Sequence, residues 1–135
     1  MKTKPAPIKL PRIPNEIISL EKVRDLIYCD GPLLSEYKSK SGKTYLYLWS
    51  GVEENSHNNW LLFRVTKRDL LRYLLGKITL LDLVRNLQGG MAYVVEIDCD
   101  LNKKAIYFVP KDEIPQDFLP GEESNYDPIM SGVEG

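Results

Sequence analysis

The stretch PLLSEYKSKSGKTYLYLW, residues 32–49, decides the fold class of this chain. It is typical of two strands joined by a turn at Ser41-Gly42, where glycine can adopt a positive φ at little cost. In the second strand aromatic and aliphatic residues alternate, and alternate residues of a strand point to opposite faces of a sheet. One face carries Tyr45, Tyr47 and Trp49, and the other carries Leu46 and Leu48. The alternation therefore predicts a hairpin within a larger sheet.

The residues after this hairpin predict three more strands and two short helices. Residues 60–65 form an apolar run that we expect to pair antiparallel with the second strand of the hairpin. Residues 67–76 and 80–87 have apolar side chains at helical spacing, and residues 91–99 and 104–109 are typical of a second pair of strands. The apolar side chains expected to form the buried helix faces are Leu70, Leu71, Leu74 and Leu75 in the first helix, and Leu80, Leu83, Val84 and Leu87 in the second.

Both predicted helices begin with the same spacing, a threonine followed three residues later by an aspartate. In Thr66–Asp69 and Thr79–Asp82, the threonine oxygen can accept a hydrogen bond from the amide three residues on, and the acid can return one. The element order is strand-strand-strand, helix-helix, strand-strand. It predicts an α+β fold, in which an antiparallel sheet of about five strands carries the short helical pair on one face.

Composition along the chain predicts one domain with a tail at each end. Residues 1–15 are basic and rich in proline, which indicates an extended or disordered head. We expect a single globular domain over residues 16–120 and a disordered acidic tail over residues 121–135. Residues 16–29 leave two alternatives open, because they fit a helical face and their end also fits a strand that enters the turn at Asp30-Gly31-Pro32.

Charge and hydropathy argue against several classes of partner. The formal net charge of −1 gives no overall attraction to nucleic acid or to an anionic membrane. No apolar run approaches the ~18 residues that suggest a membrane span, and prolines interrupt the N-terminal segment where a signal peptide would be apolar. We therefore expect a cytoplasmic protein with no membrane partner.

The sequence offers few residues for catalysis or metal binding. His57 is the only histidine, and the two cysteines, Cys29 and Cys99, lack the paired spacing of a zinc site. No nucleophile elbow and no phosphate-cradling glycine loop is present. We therefore predict no catalytic residue, no metal and no cofactor, and keep an enzyme that combines these thiols with His57 or nearby acids as the weakest alternative.

Basic side chains suggest a second kind of function. Lys43, Arg64, Arg68 and Arg72 are candidates for a basic patch near the aromatic strand. Bases of single-stranded nucleic acid stack on aromatic side chains that lie beside cations. A nucleic-acid-binding accessory domain is therefore the alternative hypothesis, although no RNA-binding signature accompanies the patch.

Aromatic side chains provide the leading hypothesis. Tyr45, Tyr47, Trp49 and Trp60 are expected on the sheet face opposite the helices. Tyrosine and tryptophan are frequent anchors of protein interfaces, so an uncovered face of this kind is a candidate interaction surface. The competing interpretation is that a terminal segment covers this face, or that the face is itself core.

Several motifs together resemble a family of small bacterial proteins, a domain of unknown function. The motifs are the turn Asp30-Gly31-Pro32, the aromatic strand of residues 42–49, Trp60-Leu61 and the proline-rich close of residues 110–120. The resemblance covers about residues 22–120 and implies no activity. We predict a non-enzymatic protein-interaction or accessory module, of the kind that acts as an immunity partner of a neighbouring gene product. Its partner would be another protein, with a second copy of the chain as an alternative.

Overall fold

The computed structural model describes residues 8–9, 14–28, 32–52, 58–97 and 103–126. Seven strands and three α-helices lie in these ranges, and two single 3-10 turns follow the last strand. In chain order the elements are β1 (Ile8–Lys9), α1 (Asn15–Ile18), β2 (Glu21–Tyr28), β3 (Pro32–Lys38), β4 (Thr44–Val52), β5 (Asn58–Val65), α2 (Lys67–Leu74), α3 (Leu80–Arg85), β6 (Gln88–Ile97) and β7 (Lys103–Pro110).

The strands form one antiparallel sheet in the order β1-β7-β6-β5-β4-β3-β2. The predicted α+β class is confirmed, with more strands than the five expected. The main addition is β2, within the segment for which the sequence left helix and strand open. Both are present there, because α1 forms one helical turn and β2 follows it.

The first connection of the chain runs across the sheet. β1 and β2 follow one another in sequence but lie at opposite edges. Of the residues between them, those from 14 to 20 lie over the face opposite α2 and α3, where Ile17 is buried. We call residues 14–20 the crossing segment.

Strand alternation divides the interior into two cores. In the β4–β5 register Leu46 lies opposite Phe63, and Tyr47 lies opposite Leu62. Leu46 and Phe63 belong to the main core beneath the helices, whereas Tyr47 and Leu62 belong to a second core on the other face. The sheet is therefore covered on both faces in this region.

The predicted helix caps are present. Thr66 Oγ1 accepts from the Asp69 amide at 3.0 Å, and Thr79 and Asp82 form the reciprocal box, with hydrogen bonds of 3.1 and 3.0 Å. At the other end of α2, Gly76 has a φ of 76°, and the Gly76 and Lys77 amides donate back to carbonyls of the last turn. This is the αL stop that glycine favours, and it ends α2 two residues earlier than predicted.

Residues beyond the predicted domain limit at residue 120 bind the start of α3. The Ser124 hydroxyl accepts from the Leu81 amide at 3.2 Å, and the Ser124 carbonyl accepts from the Leu80 amide at 2.9 Å. Tyr126 packs against Tyr73 with 5.3 Å between ring centroids. The described domain thus continues to Tyr126, within the segment predicted as a disordered tail; residues 127–135 lie outside the described ranges.

Little of the predicted head is described. Ile8 and Lys9 pair with Phe108 and Tyr107 of β7, so this part of the head is extended, and residues 1–7 and 10–13 lie outside the described ranges. Among the described residues, no helix has the length and apolarity needed to cross a bilayer.

Candidate interaction surface

The predicted aromatic surface is mostly the second core. Tyr45 and Tyr47 are buried, together with Ile17, and Leu20 of the crossing segment packs against the same cluster. The Tyr47 ring contacts Trp60 edge-on, with centroids 6.2 Å apart. A partner cannot reach Tyr45 or Tyr47 without displacing the crossing segment, so core is the interpretation that fits these two residues.

The other two predicted aromatic residues are more exposed than Tyr45 and Tyr47. Trp60 is half-buried and Trp49, its register partner, is 37% exposed. Trp49 is therefore the most accessible of the four residues predicted to form the surface.

A polar network fastens the crossing segment to the sheet. The Tyr45 hydroxyl donates a hydrogen bond to the Glu16 carboxylate, and Lys43 Nζ lies 3.6 Å from the same carboxylate. Burial raises the pKa of Tyr45, so this hydroxyl stays protonated and donates at neutral pH. The hydrogen bond from Tyr45, aided by the charge of Lys43, lowers the pKa of Glu16 below its usual 4.5.

We expect Tyr45→Phe to lower the free energy of unfolding by about 1 kcal/mol at pH 7, because a hydrogen bond to a partly exposed carboxylate is lost. Because the folded pKa of Glu16 is depressed, its contribution is present above pH ~4.5 and is lost as pH falls through the folded pKa. The difference between variant and wild type should therefore shrink as the pH falls through the folded pKa of Glu16. Urea denaturation at several pH values measures this difference. Glu16→Gln, which removes the carboxylate, is the control. A difference that stays the same at low pH would contradict the assignment of the hydrogen bond to the Glu16 carboxylate.

The outer face of α2 exposes two large apolar side chains. Leu71 is 56% exposed and Leu75, the residue that caps the helix, is 64% exposed. At 3.6 residues per turn, Arg68, Leu71, Arg72 and Leu75 fall within about 100° of the helix circumference. We call these four residues the α2 stripe.

The sequence pattern predicted four leucines on the buried face of this helix, and for two of them the prediction is wrong. Leu70 is buried and Leu74 half-buried, but Leu71 and Leu75 face solvent. The four leucines are spread over too wide an arc to lie on one side of a two-turn helix. Tyr73 is the other buried residue of α2. A helical wheel that includes Tyr73 would have shown that one leucine of each pair points away from the core.

Beside the α2 stripe lies an apolar groove of about 190 Å³, lined by Arg24, Glu36, Lys67, Leu70, Leu71 and Leu74. Glu36 is only 2% exposed and pairs with Arg24 Nε at 2.8 Å; Lys67 Nζ lies farther away, at 3.8 Å. The two cations cover the buried carboxylate from the solvent side. The rim of the apolar groove therefore presents positive charge around an apolar floor.

The structure divides the predicted basic patch between two places. Arg68 and Arg72 lie on the α2 stripe, where Arg72 pairs with Asp69 at 3.4 Å. Lys43 and Arg64 line a second groove of about 200 Å³, together with Lys67 and Gln88. We call this second depression the basic groove.

The candidate residues for catalysis cannot be placed. Cys29, His57 and Cys99 lie outside the described ranges. Within those ranges, no three histidine, cysteine, aspartate or glutamate side chains converge in a way that could hold a metal ion.

Comparison with protein-family models, with curated proteins and with solved structures finds no match. The resemblance to small bacterial proteins of unknown function therefore stays a prediction. The α2 stripe and the two grooves beside it form the candidate functional surface of the described residues.

Proposed function

We propose that this chain is a protein-interaction module and that the α2 stripe is its contact surface. The observation that carries the proposal is the exposure of Leu71 and Leu75 on a helix whose other face is already buried in the core. Two leucines one turn apart, next to a groove floored by apolar side chains, match the way an interface accepts apolar anchors.

Charge defines the chemistry of the partner. α2 carries Lys67, Arg68 and Arg72 against a single acid, Asp69, and Arg24 adds a further cation at the groove. The acid nearest to the floor, Glu36, is buried and already paired with Arg24. A complementary segment would present apolar side chains flanked by aspartate or glutamate, most simply as an amphipathic helix laid along the stripe.

A second copy of the chain fits this surface less well. In a two-fold contact the same patch meets itself, so Arg68 and Arg72 of one copy would approach those of the other. Like charges brought together at an interface oppose association. The charge pattern therefore favours an acidic partner of different sequence.

We expect Leu71→Ser combined with Leu75→Ser to weaken partner binding at least tenfold. Each leucine would bury its exposed fraction on binding, worth about 1 kcal/mol or more. The experiment is affinity capture from the source cells with nuclease present, followed by mass spectrometry and by titration of the recovered partner. Support requires that the recovered partner carry an acidic amphipathic segment, and that this segment alone bind wild type and not the double variant.

Ile18→Ser is the matched control, because Ile18 is 61% exposed on the crossing segment, across the sheet from α2. It should bind like wild type, and circular dichroism should show all three proteins folded. Equal binding by the double variant would refute the proposal. A concentration-dependent dimer that the double variant abolishes would also refute it, in favour of a second copy.

A further inference from the structure

The basic groove lies where three parts of the chain meet. The turn between β3 and β4 contributes Lys43, the end of β5 contributes Arg64, and the start of α2 contributes Thr66 and Lys67. Gln88, at the start of β6, completes the wall. Three of the lining residues carry cationic side chains and none carries an acid, so the groove attracts anions.

The ion pairs that hold these cations are weak. Lys43 is paired with Glu16 only at 3.6 Å, and Glu16 already accepts from Tyr45. Lys67 is paired with Glu36 only at 3.8 Å, and Glu36 is already held by Arg24. Both lysines are exposed, and each carboxylate keeps its closer partner when the lysine leaves, so exchanging these long ion pairs for a better anion costs little.

Arg64 lies opposite Tyr45 in the β4–β5 register, on the sheet face that carries the crossing segment. It is half-buried on β5, and its charge acts on Glu16 from a distance, as a minor cause of the lowered pKa of that carboxyl. Among the described residues, no carboxylate lies within ion-pair distance of its guanidinium. A guanidinium can donate two parallel hydrogen bonds to one tetrahedral anion, which an ammonium cannot.

We infer that the basic groove binds a phosphate monoester, through the guanidinium of Arg64 and the ammonium groups of Lys43 and Lys67. A phosphate monoester carries a charge of about −1.5 to −2 at pH 7, and so matches three cations better than a carboxylate does. The amide group of Lys67, the first residue of α2, has no helical carbonyl partner and adds a donor at the same rim.

The position of Lys67 suggests where the phosphate comes from. Lys67 lines both the basic groove and the apolar groove beside the α2 stripe. A segment seated on the stripe can therefore place a phosphorylated side chain in the basic groove. This assignment of the source, a phosphoserine or phosphothreonine of the partner, rests on the proposed function; the anion site itself does not.

The first test is titration of the full chain with inorganic phosphate at low salt, followed by amide NMR against a chloride control of equal ionic strength. The inference predicts saturable shifts at the amides of Lys43 and Lys67. Lys43→Gln combined with Arg64→Gln should weaken binding at least tenfold. Lys77→Gln combined with Arg85→Gln removes the same charge elsewhere and should change binding less than twofold.

Two results of this titration would overturn the site. One is that the chloride control produces the same chemical shift changes. The other is that the Lys43→Gln, Arg64→Gln variant binds phosphate as well as its charge-matched control does. Because Arg64 is half-buried, Lys43→Gln alone serves as a second variant at an exposed position, where a severalfold loss is expected.

The second test separates the sources of phosphate. A short peptide with leucines and one phosphoserine should bind more tightly than inorganic phosphate, and Leu71→Ser with Leu75→Ser should remove that gain while leaving inorganic phosphate binding unchanged. If the double variant still binds the peptide more tightly than inorganic phosphate, phosphate binding in the basic groove is supported and the proposed role of the α2 stripe is refuted. If oligothymidylate binds more tightly than the peptide, with affinity that falls steeply with salt, the phosphoprotein source is overturned in favour of nucleic acid.

Discussion

Leu70→Ala should lower the free energy of unfolding by about 2–5 kcal/mol, whereas Leu71→Ala should change it by no more than about 0.5 kcal/mol. The two residues are neighbours in α2 and undergo the same chemical change. Leu70 is buried among the main-core side chains, so alanine leaves a cavity that close-packed surroundings fill only in part. Leu71 is already in contact with solvent over half of its surface.

Helix propensity cannot account for the expected difference, because leucine and alanine are both strong helix formers. Urea denaturation with a two-state fit gives both values, and an unchanged m-value would show that the unfolded state is the same. Equal losses for the two variants would mean that Leu71 is core and that the α2 stripe is not a surface. A neutral Leu71→Ala that reduces partner binding would separate the residue's role in binding from any role in folding.

Ile17→Ala should cost about 2–5 kcal/mol, although Ile17 lies in a helix of only four residues. Such a helix has almost no stability of its own, so its position depends on burial. Ile17 is buried in the second core with Tyr45, Tyr47 and Leu62. Its replacement by alanine would leave a cavity on the side of the second core that the crossing segment covers.

Ile18 provides the comparison for this measurement. It follows Ile17 directly but is exposed, and Ile18→Ala should change stability by no more than about 0.5 kcal/mol. Thermal or urea unfolding of both variants distinguishes a packed crossing segment from one that merely lies near the sheet. If both substitutions are neutral, the second core does not depend on the crossing segment, and the aromatic face becomes a candidate contact surface again.

The central strands were predictable because their signal is local. In β4 the alternation of tyrosine with leucine corresponds directly to the two cores. β2 lacks such a signal, since register shifts after Lys22 and Asp25 break its alternation. Bulges and exposed charges are typical of a strand at the edge of a sheet, where they prevent pairing with other chains.

Other features depend on contacts between distant parts of the chain, which no local pattern encodes. Ser124 closes the start of α3 from more than forty residues away. The position of each leucine in α2 depends on what covers the helix: Leu70 is buried against the sheet, whereas Leu71 is 56% exposed. For the candidate site, the sequence pattern identified the cations. It predicted neither their division between the α2 stripe and the basic groove nor the exposure of Leu71 and Leu75.

The crossing segment also has a consequence for the order in which the protein opens. From β2 to β7 every pairing joins strands that are consecutive in sequence, so that part of the sheet forms through local contacts. Ile8, by contrast, pairs with Phe108, and the crossing segment docks on strands that belong to the middle of the sheet. We therefore expect the crossing segment to detach while the meander from β2 to β7 stays intact, as a separate foldon. Its release would uncover Tyr45 and Tyr47, so the aromatic face would become accessible in a partly open state long before the protein unfolds.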